Sequence, residues 1–520
     1  MSEKRDFFSK VGQVGSITLI SRILGLVREM ARAHFLGTSL YSDAFSLAFS
    51  LPNLFRRLTA EGAMSNAFIP VYCEIKEKDS HERALEFAKN FFWGLSLILV
   101  CLVGLFIWQA PFLVSEIFAR GYSGETLEVT VFLSRLMFGY VLLISLSAVA
   151  QGVLNSEGVF SIPAFTPVLL NLSIIAAAFS LGSTFANPAI AFAVGVIFGG
   201  FLQLFFQFPA LKRQGFRLFS NANKRGINLG DPKIKEALKL LVPTLFGAGV
   251  YQINIIVSNL IATTLKQGSL SSLTFSNRLL ELVLGVLVVS LATVMLPKLA
   301  GFFSTGDVER ASAMIKQNIE VILFVTLPVI AITLVMAEEI VALLFLRGSF
   351  DLHSLEMTAG ALRFHILGLV FIGINRIFLA SYQANKMISL TAWIAFGVMV
   401  ANVVLALYLS SFMSHLGIAL ASSLAQAMQM LALLLFLGRL GVRGSLPFLT
   451  SLRILAFSTL LFLELWFLKK YLNTELELSY FVQFFVLFFA IFPALILPVL
   501  LAAQKEVKFL KNYLKNRGKA

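Results

Sequence analysis

Charged side chains are scarce in this chain: 13% of its 520 residues, against about 25% in a soluble globular domain. Too little polar surface remains to face water on every side. Long polar stretches are missing as well, none exceeding roughly 30 residues, which is too short to bury a core of its own. Cysteine is almost absent, and Cys73 and Cys101 supply neither a disulfide framework nor a metal-ligand spacing. There is no GxxxxGK[ST] phosphate loop, which excludes ATP hydrolysis by that route, and there is no HExxH or CxxC pair. No small-residue cleavage site follows the basic start (Lys4, Arg5, Lys10), so the first apolar stretch reads as an uncleaved span.

What remains is apolar: 58% hydrophobic residues, 51 of them Phe, with a mean hydropathy of +0.84. Runs of 18 or more residues with few charges are the mark of membrane-spanning helices. They fall at 11–36, 41–58, 88–110, 129–153, 162–182, 187–211, 237–265, 270–300, 317–337, 357–382, 388–410, 415–438, 449–469 and 480–503. The expected fold is therefore an all-α integral membrane protein of about 14 transmembrane helices. An even number of spans puts both termini on one side. The connection 212–239 carries Lys212, Arg213, Arg217, Lys224, Arg225, Lys233, Lys235 and Lys239 against only Asp231 and Glu236. The tail after 504 is equally basic, whereas Glu338, Glu339, Arg347 and Asp351 read as a mixed connection on the other face. Retention of Lys and Arg on the cytoplasmic side then makes both termini cytoplasmic. The same placement accounts for the net charge of +14 without nucleic acid, because the basic residues lie between apolar runs and not on one face.

A faint repeat divides the chain. Asp43-Ala44-Phe45-Ser46 matches Leu273-Thr274-Phe275-Ser276, Phe68-Ile69-Pro70 matches Met295-Leu296-Pro297, and Phe160-Ser161-Ile162 matches Ile388-Ser389-Leu390, at shifts of 230, 227 and 228. A near-constant shift points to two six-helix halves in parallel orientation, as transporters often have. The expected organisation is an N-terminal lobe (1–215), a cytoplasmic basic linker (216–236), a C-terminal lobe (237–440), and a final helix pair with a basic tail (441–520). The Gly195–Gly199 pair is a GxxxG spacing that reads as helix packing.

An ionisable residue at mid-bilayer costs about 2.5–3.5 kcal/mol on insertion scales, so it faces a wet cavity or a partner. The first span carries Arg22, Arg28 and Glu29, with Arg32 beyond. Arg22 and Glu29, seven apart, share a helix face, and a bend at Gly25 would bring Arg28 towards Arg22. Snorkelling to an interface accounts for Arg32 but is strained for Arg22 and Arg28. The second span opens at Asp43, which reads equally as an N-cap or a functional carboxylate. It then carries Pro52-Asn53 and ends in Arg56, Arg57 and Glu61. Arg57 and Glu61 have the spacing of an ordinary helical ion pair; Pro52 bends the helix, which either points Arg56 or Arg57 inward or provides a hinge, while the plain alternative is a basic cytoplasmic end. Asn277, Arg278 and Glu281 sit early in the eighth span, where Arg278 either pairs with Glu281 or serves as a cavity cation. Arg363, Arg376, Glu464 and His365 are weaker candidates. Arginines in a low-dielectric cavity call for an anion, and phosphate oxygens match the guanidinium fork.

The order Ser21-Arg22-x-Leu24-Gly25-x-x-Arg28, Asp43-Ala44-Phe45, Leu51-Pro52-Asn53-Leu54-x-Arg56-Arg57-x-x-Ala60-Glu61-Gly62-Ala63 and Ala67-Phe68-x-Pro70 resembles the MurJ (MviN) family. These are bacterial lipid II flippases of the multidrug/oligosaccharidyl-lipid/polysaccharide (MOP) exporter superfamily. Ser161-Ile162-Pro163-Ala164-Phe165, Asn277-Arg278-Leu279-x-Glu281 and Leu296-Pro297 extend the resemblance along the whole chain. It implies a MOP-type transporter of two six-helix lobes plus a C-terminal pair, in the bacterial inner membrane. Lipid II would be the substrate, with cell-wall synthesis enzymes as partners, no cofactor, and a coupling ion left unspecified. By motif, Arg22, Arg28 and Arg278 carry over as the cations that contact pyrophosphate. Asp43, Asn53, Arg56, Arg57, Glu61, Glu29 and Glu281 carry over as gating or cavity residues, with Glu29 standing where the family has Asp. Three rivals stay open: an exporter of another anionic lipid-linked sugar, a cation-coupled exporter of the same superfamily, and an enzyme subunit such as a glycosyltransferase. The last predicts carboxylates in a long extracytoplasmic loop, which this sequence lacks.

Overall fold

The computed structural model describes residues 2–56, 67–218, 230–442, 447–476 and 478–502, with side chains placed for all of these except 2–11, 241–251, 286–294 and 492–502. Arg57, Glu61, most of the basic linker and the basic tail lie outside the described residues. Among those described, the elements are helices joined by short turns. They are α1 (Ser2–Leu36), α2 (Leu40–Arg56), α3 (Ile69–Lys78), α4 (His81–Leu113), α5 (Gly124–Phe138), α6 (Tyr140–Ser156), α7 (Ser161–Leu181), α8 (Ala189–Phe205), α9 (Phe208–Arg213) and α10 (Pro232–Thr263). There follow α11 (Ser269–Ser304), α12 (Val308–Phe345), α13 (Leu352–Leu367), α14 (Leu369–Ala384), α15 (Ile388–Met413), α16 (His415–Leu435), α17 (Phe448–Tyr471) and α18 (Tyr480–Ala502). Nine stretches of helix among the described residues are long and apolar enough to cross a membrane, α5–α6 and α13–α14 each counting as one.

The chain forms two compact units. Unit 1 is residues 1–271 with Arg347–Phe350, and unit 2 is Ser272–Leu346 with residues 351–520. In each, polar caps set where helices begin. Ser80 accepts from the Arg83 amide at the start of α4, and Asp231 accepts from the Lys233 amide at the start of α10. In unit 2, Asp307 starts α12 and Asp351 starts α13 in the same way, each satisfying an amide that has no intrahelical acceptor. A similar sequence of elements recurs in both units. A long capped helix (α4, α12) is followed by a helix interrupted at a glycine, Gly139 between α5 and α6 and Gly368 between α13 and α14. Two further helices follow, α7–α8 and α15–α16. At Gly368 the carbonyl of Phe364 accepts from the Ser423 hydroxyl at 2.7 Å, a repair of the kind that a helix broken in lipid needs.

Close packing in unit 1 depends on small residues. A Cβ on Gly195 of α8 would sit 2.7 Å from Ile174 Cα and 3.0 Å from Ala177 Cβ of α7, and the Ser173 hydroxyl donates to the Gly195 carbonyl at 2.9 Å. Lipid supplies no hydrophobic drive between helices, so close approach and interhelical hydrogen bonds hold them. Tyr140, Gln203 and Thr166 continue the pattern: the Tyr140 hydroxyl donates to Gln203 Oε1 (2.9 Å), whose amide donates to the Thr166 carbonyl (3.0 Å).

One end of unit 1 is tied by charge. Glu157, just after α6, accepts from Tyr72 Oη (2.9 Å) and Lys76 Nζ (2.8 Å), with His81 Nδ1 at 3.5 Å. Arg83 of α4 pairs with the buried Asp231 (2.7 Å), and Lys233 bridges Glu74 and Glu236. These pairs, with Ile234 and Ala237 packed into the core beside Phe87 and Val153, fix the start of α10 within unit 1. Burial pushes the Glu157 carboxyl up. The hydrogen bonds from Lys76 and Tyr72 and the charges of Lys76 and His81 outweigh it, leaving the pKa below the usual glutamate value.

Gly195→Ala should destabilise the protein by about 1–3 kcal/mol through overpacking, read as a lower unfolding temperature in detergent. Gly397→Ala, where an added Cβ meets nothing within 4 Å, should leave that temperature unchanged. Because the folded Glu157 pKa is depressed, its contribution is complete above the unfolded value of about 4.3 and is lost as pH falls through the lower folded value. Unfolding temperature should therefore fall more steeply below about pH 4.3 in the wild type than in Glu157→Gln.

Candidate functional site

The membrane-embedded charges of unit 1 gather on α1. Arg28 donates to Glu29 Oε1 through Nη2 (2.6 Å) and Nε (3.2 Å), and through Nη1 to Asn171 Oδ1 on α7 (3.1 Å). The Arg28 guanidinium also lies over the Phe49 ring of α2 at 5.6 Å. Asn171 in turn donates to the Ser21 carbonyl (3.1 Å), which secures α1 along two turns. Arg32 approaches the other Glu29 oxygen, Nε to Oε2 at 3.3 Å. Arg22 is half-buried and has no hydrogen-bond or ion-pair partner among the described residues. Two guanidinium groups, those of Arg28 and Arg32, thus share one carboxylate, and with Arg22 beside them α1 keeps an excess of positive charge where desolvation makes a bare cation costly.

Two expectations for this helix, an interfacial Arg32 and a bend at Gly25, are corrected. Arg32, read as interfacial, is the most deeply buried of the three arginines, its side chain 4% exposed. It is held because an i,i+3 spacing places it against Glu29. Glu29 faces Arg28 and Arg32 and makes no pair with Arg22. The helix runs unbroken through Gly25, so no bend brings Arg22 to Arg28.

Asp43 is a cap, though of a distant helix. From the first turn of α2 its carboxylate accepts from the Gly268 amide (2.6 Å), the Ser271 amide (2.8 Å) and the Ser271 hydroxyl (2.6 Å). Those donors belong to the start of α11, whose amide groups have no intrahelical acceptors and whose dipole favours an anion. Further along α2, Arg56 Nε donates to Asn53 Oδ1 at 3.2 Å.

In unit 2 the Arg278–Glu281 pair forms, Nη1 to Oε2 at 3.0 Å, with Asn277 Nδ2 3.5 Å from Glu281 Oε1. The pair is part-exposed, and Arg278 Nε has no hydrogen bond. His365 packs between helices against the Ser276 hydroxyl (2.8 Å), while Arg376 and Glu464 are exposed. A larger cluster escaped the sequence reading. Glu338 and Glu339 lie inside α12 and not in a connection, and Glu339 is fully buried. Lys469 of α17 donates to Glu338, Glu339 and the Val335 carbonyl, each at 3.0 Å, and Arg363 of α13 donates to Glu338 (2.7 Å). The helix departs from regular geometry at Met336, which leaves the Leu334 and Val335 carbonyls to the Arg363 and Lys469 side chains. The signal was present in the further apolar run, Ile340 to Phe345, beyond the two acids. Asn171 carried no signal, since one amide in an apolar helix looks like any other. Two acids and two bases cancel in this cluster, in contrast to α1.

Solved transporters of the MOP superfamily share the fold built around these charges. An inward-facing multidrug resistance MATE family transporter of that superfamily superposes with a TM-score of 0.68 at 16% identity, covering 82% of this chain and 96% of that one. A solved structure of lipid II flippase MurJ in an inward closed conformation gives a TM-score of 0.80 at 27% identity, covering 94% and 98%. In sequence, residues 32–490 match the family described as lipid II flippase MurJ. The lipid II flippase MurJ of Burkholderia cenocepacia is 35% identical over 83% of this chain and 84% of its own length. The chain belongs to the MurJ family.

Asp43→Ala should leave the Gly268 and Ser271 amides without an acceptor, at a cost of about 1–3 kcal/mol. Amide hydrogen exchange should rise at those two positions and stay unchanged in α15.

Proposed function

We propose that this protein flips lipid II, the undecaprenyl-pyrophosphate-linked disaccharide-pentapeptide, across the bacterial inner membrane. The observation that carries the reading is the positive excess on α1. Arg22, Arg28 and Arg32 share their stretch of α1 with one carboxylate, Glu29, in a chain whose family is that of the lipid II flippases. A largely buried cluster of three cations with one carboxylate on the same helix suits a diphosphate, which offers several oxygens to guanidinium forks. Arg278 is the corresponding cation of unit 2; its Nε is unbonded, and Glu281 neutralises only part of its fork.

The mechanism is alternating access. About fourteen spans form two six-helix lobes and a C-terminal pair, with both termini in the cytoplasm. The diphosphate headgroup enters the polar interior while the polyprenyl tail stays in lipid, and no covalent bond changes. Asp43 acts as a gate residue, because its three hydrogen bonds must be surrendered if the start of α11 moves away from α2. Arg56, Arg57, Asn53, Glu61, Glu29 and Glu281 tune the cavity. The membrane potential, at about 2.3 kcal/mol per elementary charge per 100 mV, or an ion gradient drives the cycle. The protein serves the enzymes that build the cell wall.

Purified wild-type protein should bind lipid II in preference to an uncharged polyprenol, and Arg28→Ala should weaken that binding by about tenfold or more while expressing normally. Arg278→Ala should lose flipping in proteoliposomes. Full transport by both variants would remove the cationic account. Equal affinity for a different lipid-linked anionic sugar would move the assignment to another exporter of the superfamily.

A further inference from the structure

Arg135 is an exposed arginine within an apolar helix, and its position is explained from the neighbouring one. Pro111, inside α4, has no N–H, so the Ile107 carbonyl one turn earlier loses its helical donor. Arg135 of α5 supplies the replacement, Nε donating to the Ile107 carbonyl at 3.1 Å. That bond uses one of five donors, and the rest of the guanidinium has no other partner among the described residues.

Arg135 also lines a cavity of about 530 Å³ between α4 and α5, walled by Pro111, Phe112 and Phe132. Phe112 and Phe132 are 58% and 51% exposed, so the wall is open to whatever surrounds the helices. Glu128 lines the same cavity and has no partner among the described residues. It lies two helical turns before Arg135 on the same face of α5, about 10 Å nearer the helix start. Helical side chains lean towards the N-terminus, so the Arg135 guanidinium reaches towards Glu128. The groove therefore has a cation at its inner end, a carboxylate at its mouth and an apolar wall alongside.

We infer that this groove holds one membrane phospholipid with a zwitterionic amine headgroup, its phosphate on Arg135, its ammonium towards Glu128 and an acyl chain along Phe112 and Phe132. A headgroup with only negative charge would meet Glu128 unfavourably. A quaternary ammonium would have no N–H to donate to it. In the orientation proposed above, the groove opens to the extracytoplasmic leaflet, and its occupancy does not depend on what the protein transports.

The test is native mass spectrometry of the full chain extracted from bilayers of equal phosphatidylethanolamine and phosphatidylglycerol. Wild type should retain a phosphatidylethanolamine adduct in preference to phosphatidylglycerol. Arg135→Gln should lower phospholipid retention about tenfold, the loss of one charge-assisted contact. Glu128→Gln, at an exposed position that leaves the fold alone, should keep a phospholipid adduct and lose the headgroup preference. A wild type without that preference, a preference surviving Glu128→Gln, or equal adducts in wild type and a folded Arg135→Gln would each overturn the assignment.

Discussion

Hydrocarbon cannot solvate an ion, and most of what is distinctive in this chain follows from how it handles that limit. Each unit resolves it differently. Unit 2 sets the part-buried Glu338 and the buried Glu339 against Lys469 and Arg363 in a cluster whose charges cancel, and the two basic side chains also bond the Leu334 and Val335 carbonyls beside Met336. Such a cluster asks for nothing from outside. On α1 the cancellation within the helix is left incomplete, and Asn171, Phe49 and Glu29 surround Arg28. The first arrangement is a fastening; the second leaves a net positive charge on its helix.

The backbone obeys a parallel rule, since an unpaired carbonyl or amide is also costly in lipid. At three places a side chain answers it: Arg135 for the carbonyl freed by Pro111, Ser423 for the carbonyl at the Gly368 break, Asp43 for the amides at the start of α11. Breaks and partners together give these helices places where they can change direction without exposing bare polar groups.

Much of this was legible in the sequence, and the limits of legibility are physical. Spans announce themselves through length and composition, so helices such as α7, α15 and α16 were readable to within three residues at each end. Intrahelical pairs were readable too, because Arg278 and Glu281 differ by one helical turn. Bonds between distant segments were not: nothing local marks Asn171 as the partner of Arg28, or Ser271 as that of Asp43. Glu338 and Glu339 were misplaced because two adjacent acids look like the end of a span unless their partners, 25 and 131 positions away, are known.

The two bonds of Asn171 have a mechanical consequence. One amide group grips α1 twice, by the Ser21 backbone and by the Arg28 side chain, so it fixes both the height and the rotation of α1 against α7. Sliding α1 by one residue, or turning it by the arc of one residue, would break both bonds together. The two helices therefore travel as a single rigid piece, and the arginines keep their bearing on α7 however the rest of the molecule rearranges.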